Sequence, residues 1–226
     1  MTLFFDSANI EHIKEICSWN VTTGVTTNQK IFLKSGVTDY IDTIKSICRI
    51  VRNPVSVELT KTGGSDNDLL REATDLRRVD SWVTIKVPMW GDGRGLRIAK
   101  SLVEKKIPVN MTCMMSADQG ILACEGGVDY ASLFYNRIID YSGRRPAGQR
   151  EIALIRDYID NHGLSTQIIA GSIRSPVDVM ECFEAGAHIV TITYPIMKKL
   201  PFHPRTESTI KEFDEAWKVF MDGKKE

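Results

Sequence analysis

The chain has 226 residues, of which 42% are hydrophobic and 26% charged, a composition typical of a globular protein with one large or two small domains. Its 29 Lys and Arg side chains balance 29 Asp and Glu side chains, so net charge favours neither nucleic acid nor a membrane surface as a partner. These values exclude a disordered chain, a collagen-like repeat and a disulfide-stapled mini-protein. An anion that binds here must be held by a local site.

The longest segment without a charged residue is 16–29, which is largely polar, whereas a membrane span needs about 20 apolar residues. The opening MTLFFDSANI has a short apolar run with no basic segment before it, so we expect no secretory signal. An odd number of cysteines without C-x-x-C spacing argues against a disulfide framework or a zinc site and favours a reducing cytoplasm. These cysteines are Cys17, Cys48, Cys113, Cys124 and Cys182.

In chain order, eight short β-like runs alternate with longer segments of helical periodicity. The runs are 3–6, 24–28, 55–59, 84–88, 108–113, 130–134, 168–172 and 189–194. The helical segments are 10–19, 40–51, 69–79, 96–105, 117–125, 149–161, 177–185 and 207–221. This alternation predicts an α/β fold with a parallel sheet, and eight units predict a closed (β/α)₈ barrel, one domain over 1–226. An open doubly wound sheet is the alternative.

The first five runs each have one apolar face and one polar face. In a barrel the apolar face meets the helices, and the polar face then points into the lumen. The polar residues predicted to face the lumen are Asp6, Asn28, Glu58, Lys86, Asn110 and Thr112. The charged ones lie toward the C-terminal ends of their runs, where barrel enzymes build their sites. Charges in a lumen are costly unless they pair or do chemistry. An active site is therefore predicted, and an inactive buried ion-pair network is the alternative.

Lys86 is the most informative of these residues because it lies in mid-strand between Ile85 and Val87, which is followed by Pro88. A desolvated ammonium gives up its proton more easily, and a neutral amine can attack a carbonyl to form a Schiff base. The resulting iminium withdraws electrons and so assists cleavage of a neighbouring C–C bond. The alternative is a structural lysine paired with Asp6 or Glu58.

Further along the chain, Arg137 follows the sixth run, and Ser172 and Arg174 follow the seventh in GSIRSP. Late loops of barrels often bind phosphate, and the paired donors of arginine suit that group. The segment 174–176 also precedes a predicted helix N-terminus, which favours anions. Together these residues predict a sugar-phosphate site.

Seven separated segments, in order along nearly the whole chain, resemble the strand-end motifs of the transaldolase family. They are FFDSANI at 4–10, GVTTN at 24–28, VSVEL at 55–59, TIKVPM at 84–89, NMTCMMSADQG at 110–120, SLFYNRI at 132–138 and AGSIRSP at 170–176. The short length is similar to the compact branch, which also contains fructose-6-phosphate aldolases. The resemblance implies transfer of a dihydroxyacetone unit from sedoheptulose 7-phosphate to glyceraldehyde 3-phosphate, yielding erythrose 4-phosphate and fructose 6-phosphate.

The resemblance also implies a role for each matching position. Lys86 matches the Schiff-base lysine, and Asp6 matches the carboxylate that takes and returns the hydroxyl proton during C–C cleavage. Glu58 and Thr112 match the pair that holds the catalytic water. The groups that match the dihydroxyacetone contacts are Asn28, Asn110 and Ser132, and those that match the phosphate clamp are Arg137, Ser172 and Arg174.

Two positions distinguish activities within this family. Fructose-6-phosphate aldolases carry Gln where this chain has Glu58 and Tyr where it has Phe134. A carboxylate can relay protons, whereas an amide cannot, and Phe134 leaves water less activated for release of dihydroxyacetone. Transfer is therefore preferred. The alternatives are a fructose-6-phosphate aldolase and a non-catalytic barrel that binds sugar phosphates.

Several positions depart from the family pattern. Gln29 stands where proline is usual, and Leu133, Tyr135 and Asn136 replace Pro, a small apolar residue and Gly in SPFVGR. We expect Gln29 to shift the loop after the second strand. We also expect Asn136, which lacks the backbone freedom of glycine, to displace Arg137.

The four histidines are scattered without metal-ligand spacing, so no metal is predicted. The iminium supplies the electrophile, and no cofactor is expected. Helical spacing of Phe213, Trp217 and Phe220 predicts a last helix that packs on the barrel. The resemblance implies instead that this helix reaches a neighbour in a ring-like homo-oligomer, with five or ten subunits as the sizes considered.

Overall fold

The parallel strands form one closed sheet. The structure, a computed structural model, describes residues 1–224. Its strands are β1 Thr2–Asp6, β2 Thr22–Thr26, β3 Val55–Glu58, β4 Val83–Pro88, β5 Val109–Met114, β6 Tyr130–Phe134, β7 Gln167–Gly171 and β8 Ile189–Ile192. They follow one another in order, and β1 pairs with both β2 and β8. The predicted (β/α)₈ barrel is confirmed, and the open sheet is excluded.

The helices lie between successive strands and after β8. Within residues 1–224 they are α1 Ile10–Ser18, α2 Gln29–Lys34, α3 Tyr40–Val51, α4 Asp66–Val79, α5 Arg94–Glu104, α6 Ala117–Glu125, α7 Tyr135–Ser142, α8 Pro146–His162, α9 Pro176–Glu184, α10 Tyr194–Met197 and α11 Pro204–Asp222. Three of them, α2, α7 and α10, were not predicted. Each has eight residues or fewer, too few for a clear helical period.

The two ends of the lumen differ in character. At the lower end Phe4 packs with Ile169, Ile189 and Tyr130 in an apolar cluster. Gly24 makes room for this cluster, because a Cβ there would come within 2.6 Å of the Phe4 ring. These apolar side chains fill the lower lumen, and a cavity lies toward the C-terminal ends of the strands.

The second strand begins and ends two residues earlier than predicted. The run predicted at 24–28 is a strand over Thr22–Thr26, so Asn28 is not a strand residue. Asn28 is instead the N-cap of α2, where its side-chain oxygen accepts a hydrogen bond from the Ile31 N–H at 3.0 Å. Asparagine is favoured at this position because it satisfies an N–H that has no partner within the helix.

The last helix stands apart from the barrel core. No residue of α11 is buried, so the prediction that this helix packs its apolar face on the barrel of the same chain is wrong. Its exposed apolar side chains are Ile210, Phe213, Trp217, Val219, Phe220 and Met221. Across residues 1–224, no helix combines the length and the apolar character that a membrane crossing requires.

Candidate active site

Lys86 lies in the middle of β4 and points into the lumen, as the strand alternation predicts. Its side chain is 5% exposed, and Nζ lies 3.4 Å from Oε2 of Glu58 on the neighbouring strand β3. Nζ also donates a hydrogen bond to the Thr27 carbonyl oxygen at 3.2 Å. These contacts hold one amine in a defined position beside a carboxylate that can exchange protons with it.

Asp6 ends β1 and faces the same space. Its Oδ1 accepts a hydrogen bond from Thr26 Oγ1 at 2.6 Å, and Thr191 Oγ1 lies 2.6 Å from that same hydroxyl. Burial raises the pKa of Asp6 above its ordinary value, while Lys86 and the Thr26 hydroxyl act in the opposite direction. The result is a carboxyl group that takes up a proton more readily than an exposed aspartate does.

A second group of polar side chains spans β3, β5 and β6. Asn110 donates through Nδ2 to Ser56 Oγ at 3.0 Å and accepts through Oδ1 from Ser132 Oγ at 2.7 Å. Thr112, one lumen position further along β5, is fully buried, and its hydroxyl has no hydrogen-bond partner. An unpartnered buried hydroxyl is costly, so Thr112 is available to bind a water or a substrate oxygen.

A cavity of about 540 Å³ lies beside these groups at the C-terminal end of the barrel, a size suited to a small-molecule ligand. The predicted site residues Glu58, Asn110 and Thr112 are not among the residues that line it. The predicted site residues that line it are Asp6, Asn28, Lys86, Ser132, Phe134, Arg137 and Ser172. Glu58 lies behind Lys86, and Asn110 behind Ser132. The cavity therefore has the Lys86 amine and the Asp6 carboxyl group at its base and the Arg137 guanidinium at its edge.

The three predicted phosphate ligands are arranged unequally. Arg137 and Ser172 line the cavity, and the Arg137 guanidinium lies 4.8 Å from the centre of the Phe134 ring. Arg174 is not among the lining residues, and its side chain is 55% exposed and paired with Asp140. Two of the three predicted phosphate ligands, Arg137 and Ser172, therefore face the cavity, and the guanidinium of the third, Arg174, pairs with Asp140.

Sequence reasoning missed several cavity-lining residues. Thr191 was overlooked although it shares the alternating pattern of β8. Lys30 and Lys34 line the cavity from α2, and their four-residue spacing on one helical face was the signal that could have found them. His12 and Tyr194 stack at its rim with ring centres 3.7 Å apart.

The departures from the family pattern have local explanations. Gln29 begins α2, and its side-chain Nε2 donates to the Leu59 carbonyl at 2.9 Å, which ties this loop to the end of β3. Asn136 lies within α7 and has none of the positive φ angles found in the described residues. Position 136 therefore does not require glycine, and the expectation that Asn136 displaces Arg137 from the site is wrong, since Arg137 lines the cavity.

The five cysteines are free thiols. Among the described residues, no group of three or more His, Cys, Asp or Glu side chains is arranged to hold a metal ion. The side chains that line the cavity include the Lys86 amine, the Asp6 carboxyl group, two further lysines, a histidine and an arginine.

A parallel barrel that places a buried lysine and two carboxyl groups beside a cavity at its C-terminal face belongs to the class of (β/α)₈-barrel enzymes. The family described as Transaldolase/Fructose-6-phosphate aldolase matches residues 3–225. The chain belongs to this family.

Curated relatives agree with this assignment. A probable transaldolase of Alkaliphilus metalliredigens is 38% identical over 220 residues, covering 96% of this chain and 98% of that protein. A probable transaldolase of Kosmotoga olearia is 35% identical and covers 99% of both chains. A thiamine phosphate pyrophosphorylase from Pyrococcus furiosus has a TM-score of 0.59 at 11% identity, covering 88% of this chain and 93% of that one. That last likeness concerns the barrel fold alone.

Proposed function

We propose that the protein is a transaldolase that moves a dihydroxyacetone unit between sugar phosphates through a Schiff base on Lys86. The observation that carries the proposal is the position of Lys86 Nζ, buried at the base of the cavity and 3.4 Å from Glu58 Oε2. The donor is a ketose phosphate such as sedoheptulose 7-phosphate, and the acceptor is glyceraldehyde 3-phosphate. The same site serves the reverse reaction of fructose 6-phosphate with erythrose 4-phosphate.

In the first half of the reaction, the Lys86 amine attacks C2 of the ketose to form a carbinolamine. Glu58 exchanges protons with this group, and water leaves as the C=N bond of the iminium forms. Asp6 then accepts the C4 hydroxyl proton while the C3–C4 bond breaks. The bonding electrons move into the iminium to give an enamine on Lys86, and an aldose phosphate leaves with a new carbonyl group.

In the second half, the enamine carbon attacks the aldehyde of the acceptor, and the new C–C bond forms. Asp6 returns its proton to the oxygen that was the aldehyde carbonyl. Water then adds to the regenerated iminium, and Lys86 is released as the free amine. The unpartnered hydroxyl of Thr112 supports a water-binding role. Asn110, Ser132 and Asn28 hold the three-carbon unit in the meantime, and Arg137 and Ser172 hold the phosphate.

A fructose-6-phosphate aldolase is the second candidate because it shares every step up to the enamine. The two activities differ in whether a sugar acceptor or a proton captures that intermediate. Glu58 is a carboxylate whose only cationic contact among the described residues is Lys86, and Phe134 contributes a ring without a hydroxyl to the cavity. Both features favour transfer over release of dihydroxyacetone.

Incubation with fructose 6-phosphate, with and without erythrose 4-phosphate, tests the proposal. We expect turnover to depend on the acceptor and sedoheptulose 7-phosphate to accumulate, because the enamine persists until an aldehyde arrives. Mass spectrometry after borohydride reduction should find the three-carbon adduct on Lys86. Dihydroxyacetone released at the same rate without acceptor would establish the aldolase. A protein that is never trapped would establish a binding barrel without catalysis.

We further propose that the exposed apolar face of α11 binds a second copy of this chain within a ring of five or ten subunits. This face includes Phe213 and Trp217, which are 68% and 61% exposed. Neighbouring aromatic side chains exposed to this extent are unusual on a helix that remains in contact with water. The chain carries equal numbers of positive and negative side chains, so its copies do not repel one another. Cytoplasmic location is proposed on the free cysteines.

The substitution Trp217→Lys tests this assembly. We expect wild type to sediment as an oligomer in analytical ultracentrifugation and Trp217→Lys to dissociate to smaller species, because a charge is placed in the contact. Glu215→Lys introduces the same side chain on the opposite face of α11 and should leave the mass unchanged. A wild-type chain that sediments as a monomer at micromolar concentration would contradict the assembly.

A further inference from the structure

Asn136 makes contacts that the proposed chemistry does not use. Its side chain is buried, and the single amide nitrogen Nδ2 donates to the Ser172 carbonyl oxygen at 3.0 Å and to Asp178 Oδ2 at 2.7 Å. It thereby joins the start of α7 to the loop that follows β7. Arg137, the next residue of α7, lines the cavity.

The carboxylate of Asp178 also holds the loop between β7 and α9. Asp178 is buried, and its Oδ2 accepts hydrogen bonds from the backbone N–H groups of Arg174 at 2.8 Å and Ser175 at 3.0 Å. Burial by itself raises the pKa of Asp178, but these N–H groups and the Asn136 amide lower it overall. Asp178 therefore carries its negative charge, and the Asn136 amide connects it to the Ser172 carbonyl oxygen.

Ser172 needs such support because of its backbone. Its φ is +62°, the left-handed region that residues with a side chain seldom adopt. A conformation of this kind persists when surrounding contacts impose it, and it is concentrated at functional sites. With Asn136 holding its carbonyl oxygen, Ser172 lines the cavity together with Arg137.

We infer that Asn136 is a positioning residue for phosphate, which locks Ser172 and Arg137 at a fixed separation through its bridge to the Ser172 carbonyl and Asp178. The inference rests on the proposed function in so far as the phosphate belongs to a sugar. It extends that function, because it assigns to Asn136 a part in substrate affinity. Anion recognition by an arginine and a hydroxyl depends on geometry, so a loosened loop weakens phosphate binding while Lys86, Asp6 and Glu58 stay in place.

The test compares phosphorylated and unphosphorylated acceptors in Asn136→Ala. We expect the KM for glyceraldehyde 3-phosphate to rise about tenfold, which corresponds to the loss of one charge-assisted contact. The kcat and the kinetics with glyceraldehyde, which has no phosphate, should change by less than about twofold. Equal losses with both acceptors would show that Asn136 acts on the barrel as a whole and would overturn the inference.

Tyr135→Phe is the matched control. Tyr135 is the preceding residue on α7 and donates its hydroxyl to Glu181 Oε2 on α9 at 2.7 Å. Loss of this hydroxyl removes a hydrogen bond between α7 and α9, the two helices that Asn136 also joins, and leaves the contacts of Ser172 unchanged. We expect Tyr135→Phe to lower the melting temperature and to leave the KM for phosphorylated acceptors unchanged. A KM increase equal to that of Asn136→Ala would show that only the packing of the helices matters.

A binding measurement separates this inference from the proposed reaction. Isothermal titration calorimetry with inorganic phosphate should give a Kd about tenfold higher for Asn136→Ala than for wild type, whether or not the protein turns over sugars. Failure of wild type to be trapped by borohydride would defeat the proposed function alone. Equal phosphate affinity in the two proteins, or none in wild type, would defeat the role of Asn136. If Asn136→Ala does not fold, Asn136→Ser, which retains a donor but cannot bridge both acceptors, replaces it.

Discussion

Lys86→Met lowers sugar-phosphate turnover by at least about 10⁴-fold, because it removes the nucleophile through which both halves of the reaction pass. Methionine has a similar length and no charge, so it fills most of the lumen space that the Lys86 side chain occupies. The rate is measured as formation of sedoheptulose 7-phosphate from fructose 6-phosphate and erythrose 4-phosphate. Borohydride trapping should leave Lys86→Met without an adduct.

Lys100→Met is the control for this experiment. Lys100 lies on the surface of α5 and forms an exposed ion pair with Glu104, at 3.9 Å, so its replacement should leave both turnover and trapping unchanged. Circular dichroism and the melting temperature verify that the two variants are folded. An adduct on a residue other than 86 in the Lys86→Met protein would remove the assignment on which the mechanism depends.

Asp6→Asn is expected to lower turnover by about 10²- to 10⁴-fold, the range for loss of a general acid–base group. The variant should still be trapped by borohydride with its substrate, because formation of the Schiff base depends on Lys86 and Glu58. Accumulation of the trapped full-length ketose, in place of the three-carbon unit, would locate the block at C–C cleavage. A variant that is neither trapped nor active would contradict this division of roles.

The pH profile provides an independent test of Asp6. Asp6 acts as a base in its ionised form, and burial raises its pKa. Wild-type kcat/KM should therefore fall on the acid side at a pH above about 3.9, the value for an ordinary aspartate. Because the raised pKa means that the ionised form costs folding free energy at neutral pH, Asp6→Asn should melt no lower than wild type at pH 7.

Asp75→Asn makes the same chemical change on the surface of α4, where Asp75 forms an exposed ion pair with Arg78. Its pH profile should match that of wild type. An acid limb that persists unchanged in the residual activity of Asp6→Asn would assign the titration to another group.

The lumen residues could be predicted from sequence because a strand has a side-chain period of two. Once Ile85 and Val87 were assigned to the helix-facing side, Lys86 had to point inward, and the structure places it there. The same reasoning places Asn110 and Thr112 inside, where both are fully buried. No knowledge of distant contacts was needed for these positions.

The loop residues could not be predicted in this way, since a loop has no fixed period. The sequence shows only that Arg174 follows the seventh strand, and the structure adds that its guanidinium pairs with Asp140, 34 residues away in sequence. Asn28 was assigned to a strand and is the cap of a six-residue helix. In each case a partner brought near by the folded chain decides the outcome.

Sequence alone therefore determined the barrel and the inward-facing lysine and carboxylates, because strand alternation and the alternation of strands with helices are local properties of the chain. Only the tertiary structure decided how the edge of the cavity is built. It joined Asn136 to Asp178 across 42 residues, left the Thr112 hydroxyl without a partner and left the apolar side of α11 uncovered. These features depend on contacts between residues that are distant in the sequence, and a local sequence pattern does not specify such contacts.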